Sequence, residues 1–128
     1  MGPGVIKVVL VVDDSPTIRR MVKVALADVG QRFIEAGTGL EAIERLTLDP
    51  VDLIVLDLNM PDMHGIEVLK FVRRHPTYRA LPVIVLTTRG DDASRDLALA
   101  AGATAYLTKP FSPAALAEQA RMQTHVKS

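Results

Sequence analysis

Apolar and polar positions follow one another along the chain in two rhythms. Short apolar runs, rich in β-branched residues, recur at Lys7–Val12, Gln31–Ala36, Leu53–Leu56, Pro82–Leu86 and Ala105–Leu107. The first, third and fourth are apolar on consecutive positions, the mark of strands covered on both faces. Between the runs, apolar residues return at helical spacing, and Ile18, Met21, Val22, Ala25, Leu26 and Val29 form one stripe. Ser15-Pro16 can open that helix and Gly30 can end it. Thr38-Gly39-Leu40-Glu41 predicts a capping box at the start of a second helix, which stops near Asp49-Pro50. A third helix is expected from Ile66 to His75, and a fourth from Asp91-Asp92 to Gly102. The fifth opens at Ser112-Pro113 and fades over Gln123–Ser128.

Five strand-then-helix units predict an α/β fold: a parallel sheet with helices on both faces, joined by right-handed crossovers. The pattern leaves the strand order open. The 128 residues fit one domain over 1–128, with loose termini at 1–5 and 124–128. Hydrophobic residues make up 48% of the chain and aromatics only 4%, so aliphatic side chains must supply the core.

Charge narrows the function. Lys+Arg and Asp+Glu both number 15, which argues against a nucleic-acid binder with a basic stripe and gives no attraction to an anionic membrane. The absence of cysteine removes disulfides and thiolate metal sites. No apolar stretch approaches the length of a membrane span, and Met1-Gly2-Pro3-Gly4 lacks the features of a signal peptide, so a cytoplasmic location is expected.

In open α/β sheets, ligands bind beyond the carboxyl ends of the strands. There the sequence places Asp13 and Asp14 after the first strand, Asp57 at the end of the third, Thr87-Thr88 after the fourth and Thr108-Lys109 after the fifth. One such aspartate is commonly a helix cap. Three meeting at one sheet edge repel one another unless a cation or a shared proton relieves them. All-oxygen donors select a hard cation, and Mg²⁺ is favoured because it binds one or two carboxylates and bridges to phosphate. A carboxylate nucleophile, Mg²⁺, a lysine and a hydroxyl are the parts of a phosphoryl-transfer site.

Four segments then carry a resemblance: Val11-Val12-Asp13-Asp14-Ser15, Asp57-Leu58-Asn59-Met60-Pro61-Asp62-Met63-His64-Gly65, Val85-Leu86-Thr87-Thr88 and Lys109-Pro110-Phe111. In order and spacing they resemble the receiver domains of bacterial two-component response regulators, above all the single-domain chemotaxis regulators of the CheY type. The resemblance implies a flavodoxin-like sheet of order 2-1-3-4-5. It implies that Asp57 accepts a phosphoryl group from the phosphohistidine of a sensor histidine kinase or a phosphotransfer domain. Asp14, Asp57 and the main-chain carbonyl of Asn59 would hold Mg²⁺, with Asp13 acting through water. Lys109 would meet a phosphoryl oxygen, and Lys109-Pro110 would be cis. Thr87 and Tyr106 would form the switch, and a downstream protein would dock on the fourth helix, fifth strand and fifth helix, about Asp91 to Gln123. Such a chain is a phosphoacceptor switch that catalyses only its own phosphorylation and dephosphorylation.

Remaining features are weighed beside this. Gly65 is expected at positive φ and Pro61 in a turn. His64, His75 and His125 have no spacing suited to metal or acid–base work and are expected at the surface. Where the family commonly has Ala or Gly, the residue after Thr87 is Thr88, whose bulk would slow hydrolysis of the acyl phosphate. Arg89 is expected near the site mouth, either in contact with the phosphoryl group or a partner or as an ordinary loop charge. A haloacid-dehalogenase-type hydrolase would need a second aspartate two residues after the nucleophile, where Asn59 stands. A flavin or nucleotide binder would need a phosphate-cradling loop where Asp13-Asp14 stands. A receiver cut from a larger regulator or hybrid kinase, and a docking-only receiver, are the other readings.

Overall fold

The computed structural model describes residues 6–60, 65–88, 90 and 92–126, the last three of these by backbone alone. Five strands run β1 (Ile6–Val12), β2 (Gly30–Ala36), β3 (Leu53–Asp57), β4 (Val83–Thr87) and β5 (Ala105–Thr108). They alternate with α1 (Pro16–Ala25), α2 (Gly39–Leu48), α3 (Gly65–Arg74), α4 (Asp92–Ala100) and α5 (Pro113–Val126). All strand pairs are parallel, in the order β2-β1-β3-β4-β5. The three runs that are apolar on consecutive positions are the three inner strands, where both faces are covered. The weaker runs, QRFIEA and AYL, are the two edges.

Successive residues of each inner strand feed opposite cores. Val8, Leu10, Val12, Ile54, Leu56, Val83 and Val85 pack against Ala42 and Leu46 of α2, Val68, Leu69 and Val72 of α3, and Ala98 of α4. Val9, Val11, Leu53, Val55, Ile84 and Leu86 pack against Val22 and Leu26 on the α1 side and Leu116, Ala117 and Ala120 of α5. This period-2 split is what a helix-covered sheet demands. Among the described residues no helix is long and apolar enough to cross a membrane.

Helix starts follow the expected chemistry. Ser15 Oγ accepts from the Ile18 amide (3.2 Å) with Pro16 in the first turn, and Ser112 Oγ accepts from the Ala115 amide (3.2 Å). Thr38 Oγ1 accepts from the Glu41 amide (3.0 Å), while Glu41 reaches past the cap to the Gly37 amide (2.8 Å). Helix α1 departs from expectation: its stripe predicts continuation to Gly30, but the helix stops at Ala25. Tight turns follow (Ala27 N to Val24 O, 3.3 Å; Val29 N to Leu26 O, 2.9 Å), and Gly30 already opens β2, paired with Ile6. Val29 still packs on the core, so its apolar character reflects burial rather than helicity.

Helix α4 closes as its terminal glycine suggests. Ala103 N bonds to Ala98 O and Gly102 N to Leu99 O, both at 3.0 Å, with Gly102 at φ 111°. Gly65 does not follow its expectation. Among the described residues only Gly102 has positive φ, and Gly65 is required instead for close approach. A β-carbon there would collide with the Asp57 carbonyl and come within 2.6 Å of Leu58 Cα. His75 also differs: it is half-buried, stacks on Tyr78 with ring centroids 4.2 Å apart, and accepts from the Thr77 amide. The chain expected to be loose from 124 is still helical to Val126, where α5 ends. Pro61, His64, Arg89 and Asp91, the His125 side chain and residues 1–5 and 127–128 lie outside the described residues.

Candidate phosphoryl-transfer site

Sheet register builds the site. Val12 pairs with both Ala36 and Leu56, Leu56 pairs with Val85, and Val85 pairs with Tyr106. One residue beyond this rung, Asp13 and Asp57 emerge side by side from β1 and β3. Thr87 pairs with Thr108 at the far edge, and Lys109 follows. Four strands thus deliver their polar residues to one carboxyl-terminal edge.

Ligand oxygens of Asp13, Asp14 and Asp57 all lie within 4.8 Å of one another. Asp13 and Asp57 are buried (1% and 2% exposed), whereas Asp14 faces solvent. Lys109 Nζ donates to Asp13 Oδ2 at 2.7 Å and pairs with Asp57 Oδ1 at 3.2 Å. The Lys109-Pro110 peptide is cis, and the Lys109 amide donates to the Thr87 carbonyl at 2.7 Å. Asp57 Oδ1 also accepts from the Asn59 amide at 3.2 Å, and Asp13 Oδ1 from the Ser15 amide at 2.9 Å.

Burial pushes the Asp57 carboxyl above its ordinary value, and the Asp13 charge adds to this, against the opposing pull of the Asn59 amide and Lys109. Burial would lower the Lys109 ammonium, but its hydrogen bond to Asp13 and the charges of Asp13 and Asp57 outweigh that and hold it above normal. Three carboxylates against one ammonium leave excess negative charge in a partly desolvated corner. Every candidate donor there is oxygen, so the cluster can hold a hard divalent cation, and its residues fit Mg²⁺.

Thr87 is buried, and Asn59 Nδ2 lies 3.5 Å from its Oγ1 and 3.3 Å from Thr88 Oγ1. A cavity of about 340 Å³ adjoins Thr87 and Asn59, walled by Leu58, Ile66, Leu97 and Ala98. Tyr106 on β5 is half-buried and packs against the α2–α3–α4 core. Asp13, Asp14, Asp57, Asn59, Thr87 and Lys109 thus lie at one sheet edge, while Tyr106 sits one rung behind and Arg89 lies outside the described residues.

Sequence reasoning missed Arg19 and Arg73. Arg19 Nη1 donates to the Asp13 carbonyl and its Nε to Glu35. Arg73 donates to the carbonyls of Gly102 (2.8 Å), Arg79 (3.1 Å) and Leu81 (2.7 Å) and to Thr104 Oγ1 (3.3 Å), at the opposite end of the sheet. Each is the first of an Arg-Arg pair on an amphipathic helix (Arg19-Arg20, Arg73-Arg74), where no local pattern separates the bonded arginine from its neighbour.

Comparison with known proteins agrees with this geometry. Residues 9–121 match the response regulator receiver domain. A chemotaxis protein CheY homolog of Campylobacter jejuni is 43% identical over 112 residues, 86% of each chain. The transcriptional regulatory protein KdpE of Mycobacterium tuberculosis is 45% identical over 103 residues, 80% of this chain but 44% of that protein. The solved structure of chemotaxis response regulator CheY4 of Vibrio cholerae superposes with a TM-score of 0.84 at 37% identity, covering 92% of this chain and 98% of the other.

Proposed function

The chain belongs to the response regulator receiver domain family of two-component signalling, and from that premise we propose that Asp57 is its phosphoacceptor in a magnesium-dependent switch. The observation that carries the reading is the convergence of Asp13, Asp14 and Asp57 with Lys109 at one sheet edge. A carboxylate oxygen of Asp57 attacks phosphorus as the bond to the leaving group breaks, the imidazole nitrogen of a kinase or phosphotransfer-domain phosphohistidine in signalling. Asp57 thereby becomes an acyl phosphate.

Asp14, Asp57 and the carbonyl of Asn59 would hold Mg²⁺, with Asp13 acting through water. When bound, the cation would supply positive charge that offsets the excess negative charge of the carboxylates and of an incoming phosphoryl group. Lys109, already poised between Asp13 and Asp57, turns to a phosphoryl oxygen and carries away part of the incoming charge. The Thr87 hydroxyl donates to a second oxygen.

Only contacts that differ between two states can bias them. The new pull on Thr87 and Lys109 is the differential contact, and both are tied to β5: Thr87 by its pairing with Thr108, Lys109 by following it. Tyr106 relays the shift through its packing on the core. A downstream protein docks on α4, β5 and α5, where Leu97, Leu99 and Met122 stand 68%, 45% and 50% exposed. No separate substrate is turned over; the chain catalyses its own phosphorylation and dephosphorylation.

Intact-mass analysis after incubation with acetyl phosphate tests the chemistry. One phosphoryl adduct is expected on wild type with Mg²⁺, and none on Asp57→Asn or without the metal. No adduct in any condition would favour a docking-only receiver.

A further inference from the structure

Arg19 belongs to none of the roles above, yet it grips the loop that carries two of the three carboxylates. Its Nη1 donates to the main-chain carbonyl of Asp13 over 2.6 Å, shorter than the 2.7 Å contact between Lys109 and the Asp13 side chain. Its Nε donates to Glu35 Oε1 on β2 over 2.8 Å, and the other oxygen of Glu35 accepts from Lys23 over 2.7 Å. We propose that Arg19, oriented by Glu35, is a positioning residue for the cation site, fixing the Asp13–Asp14 peptide so that both carboxylates converge on Asp57. The inference rests on the reading of Asp13, Asp14 and Asp57 as a magnesium site.

The carbonyl that Arg19 holds is part of the peptide joining the two aspartates, so its orientation sets the direction in which Asp14 leaves β1. Asp13 is otherwise tied by its amide to Ala36 O (3.0 Å) and by its carboxylate to the Ser15 amide and Lys109. Arg19 holds the one remaining polar group. Its side chain is 18% exposed, so the contact is poorly screened by water. A guanidinium is a rigid planar fork, able to hold a carbonyl and a carboxylate in fixed relation, which a lysine cannot do. Lys23 and Arg19 together hold the Glu35 carboxyl below its usual range, so the anchor stays anionic.

Positioning and simple charge predict opposite signs. A guanidinium near a cation site repels the cation, so on charge alone Arg19→Ala would tighten magnesium binding. If Arg19 positions the ligands, its removal weakens binding despite the relieved repulsion, by about tenfold on the scale typical of outer-shell partners. The test is calorimetric titration of magnesium chloride at fixed ionic strength into wild type, Arg19→Ala, Glu35→Gln and a control, Arg32→Ala. The control breaks another ion pair of β2, Arg32–Asp49 at 3.6 Å. Amide exchange at Ser15 in metal-free protein gives a second reading, since a loosened loop frees its bond to Asp13. We expect about tenfold weaker binding for Arg19→Ala, a smaller loss for Glu35→Gln, no change for Arg32→Ala and faster Ser15 exchange in the first two. If Arg19→Ala does not fold, Glu35→Gln carries the test, because it leaves Arg19 in place but without its anchor. Equal or tighter binding by the variants, with wild type binding normally, overturns the positioning role and leaves the magnesium site standing. Wild type that binds no magnesium overturns the site itself, and the inference with it.

Discussion

Lys109 Nζ stands 3.2 Å from Asp57 Oδ1, an ion pair between residues on different strand ends and largely hidden from water. The pair alone does not make Asp57 comfortable as an anion, because burial still raises its carboxyl above the normal range. The folded protein therefore holds that proton to higher pH than the unfolded chain. The resulting stability is full below the unfolded carboxylate value, near 4, and is lost as pH rises through the raised folded value. At neutral pH the ionised Asp57 is a net cost. Asp57→Asn should then be more stable than wild type by about 1–2 kcal/mol at pH 7, with the gap closing as pH falls toward 4. Urea unfolding at the two pH values measures this, and a variant no more stable at pH 7 would count against it.

Thr88 bears on the lifetime of the phosphorylated state. It is exposed beside the acceptor, and its hydroxyl lies 3.3 Å from the Asn59 amide nitrogen. Replacing Thr88 by alanine removes both its bulk and that contact, which would open the approach of attacking water. Thr88→Ala should lose its phosphoryl group about three- to tenfold faster, a barrier change on the order of 1 kcal/mol. Decay of the acyl phosphate after rapid removal of acetyl phosphate checks this, and equal decay would remove the idea.

Arg73 predicts a stability loss without a chemical one. Its guanidinium satisfies three carbonyls and the Thr104 hydroxyl, joining α3, the segment after it and the turn before β5. Burial lowers its pKa, a sign that water reaches it poorly. Arg73→Ala should cost about 2–4 kcal/mol, while magnesium-dependent phosphorylation of the folded fraction stays intact. Arg73→Lys should rescue little, since an ammonium lacks the fork. Denaturation midpoints and adduct formation, measured on the same samples, separate the two effects.

Gly65→Ala should be damaging at a position where helix propensity alone favours alanine. The added methyl group meets the backbone of Asp57 and Leu58, which cannot yield without moving the acceptor. A destabilisation of about 2–4 kcal/mol is expected, together with slower phosphorylation. Wild-type stability in the variant would show that the β3–α3 junction can yield to a methyl group.

Much of this molecule was legible in the sequence because its strongest signals are abrupt. A strand such as LIVL that breaks into Asp57 announces both a buried strand and the edge where chemistry occurs, and KVVLVV breaking into Asp13-Asp14 does the same. Lys109 stands out through its place between Thr108 and Pro110. What stayed hidden depends on residues meeting across the fold. The end of α1 is set by the pairing of Gly30 with Ile6, Gly65 by the proximity of Asp57, and the values of Arg19 and Arg73 by acceptors on other elements. None of these leaves a trace in local periodicity.

The register that aligns Val12, Leu56, Val85 and Tyr106 on one rung also means that the proposed site cannot be assembled from a short stretch of chain. Its acid pair, acceptor, hydroxyl and lysine come from four widely separated stretches, and no contiguous peptide short of Asp13 to Lys109 contains them all. A growing chain leaving the ribosome carries Asp57 long before it carries Lys109, and in that interval the carboxylate is only a side chain. The proposed site is complete only once the fifth strand has paired with the fourth. A chain that ends before Lys109 would therefore lack the ammonium that pairs with Asp13 and Asp57.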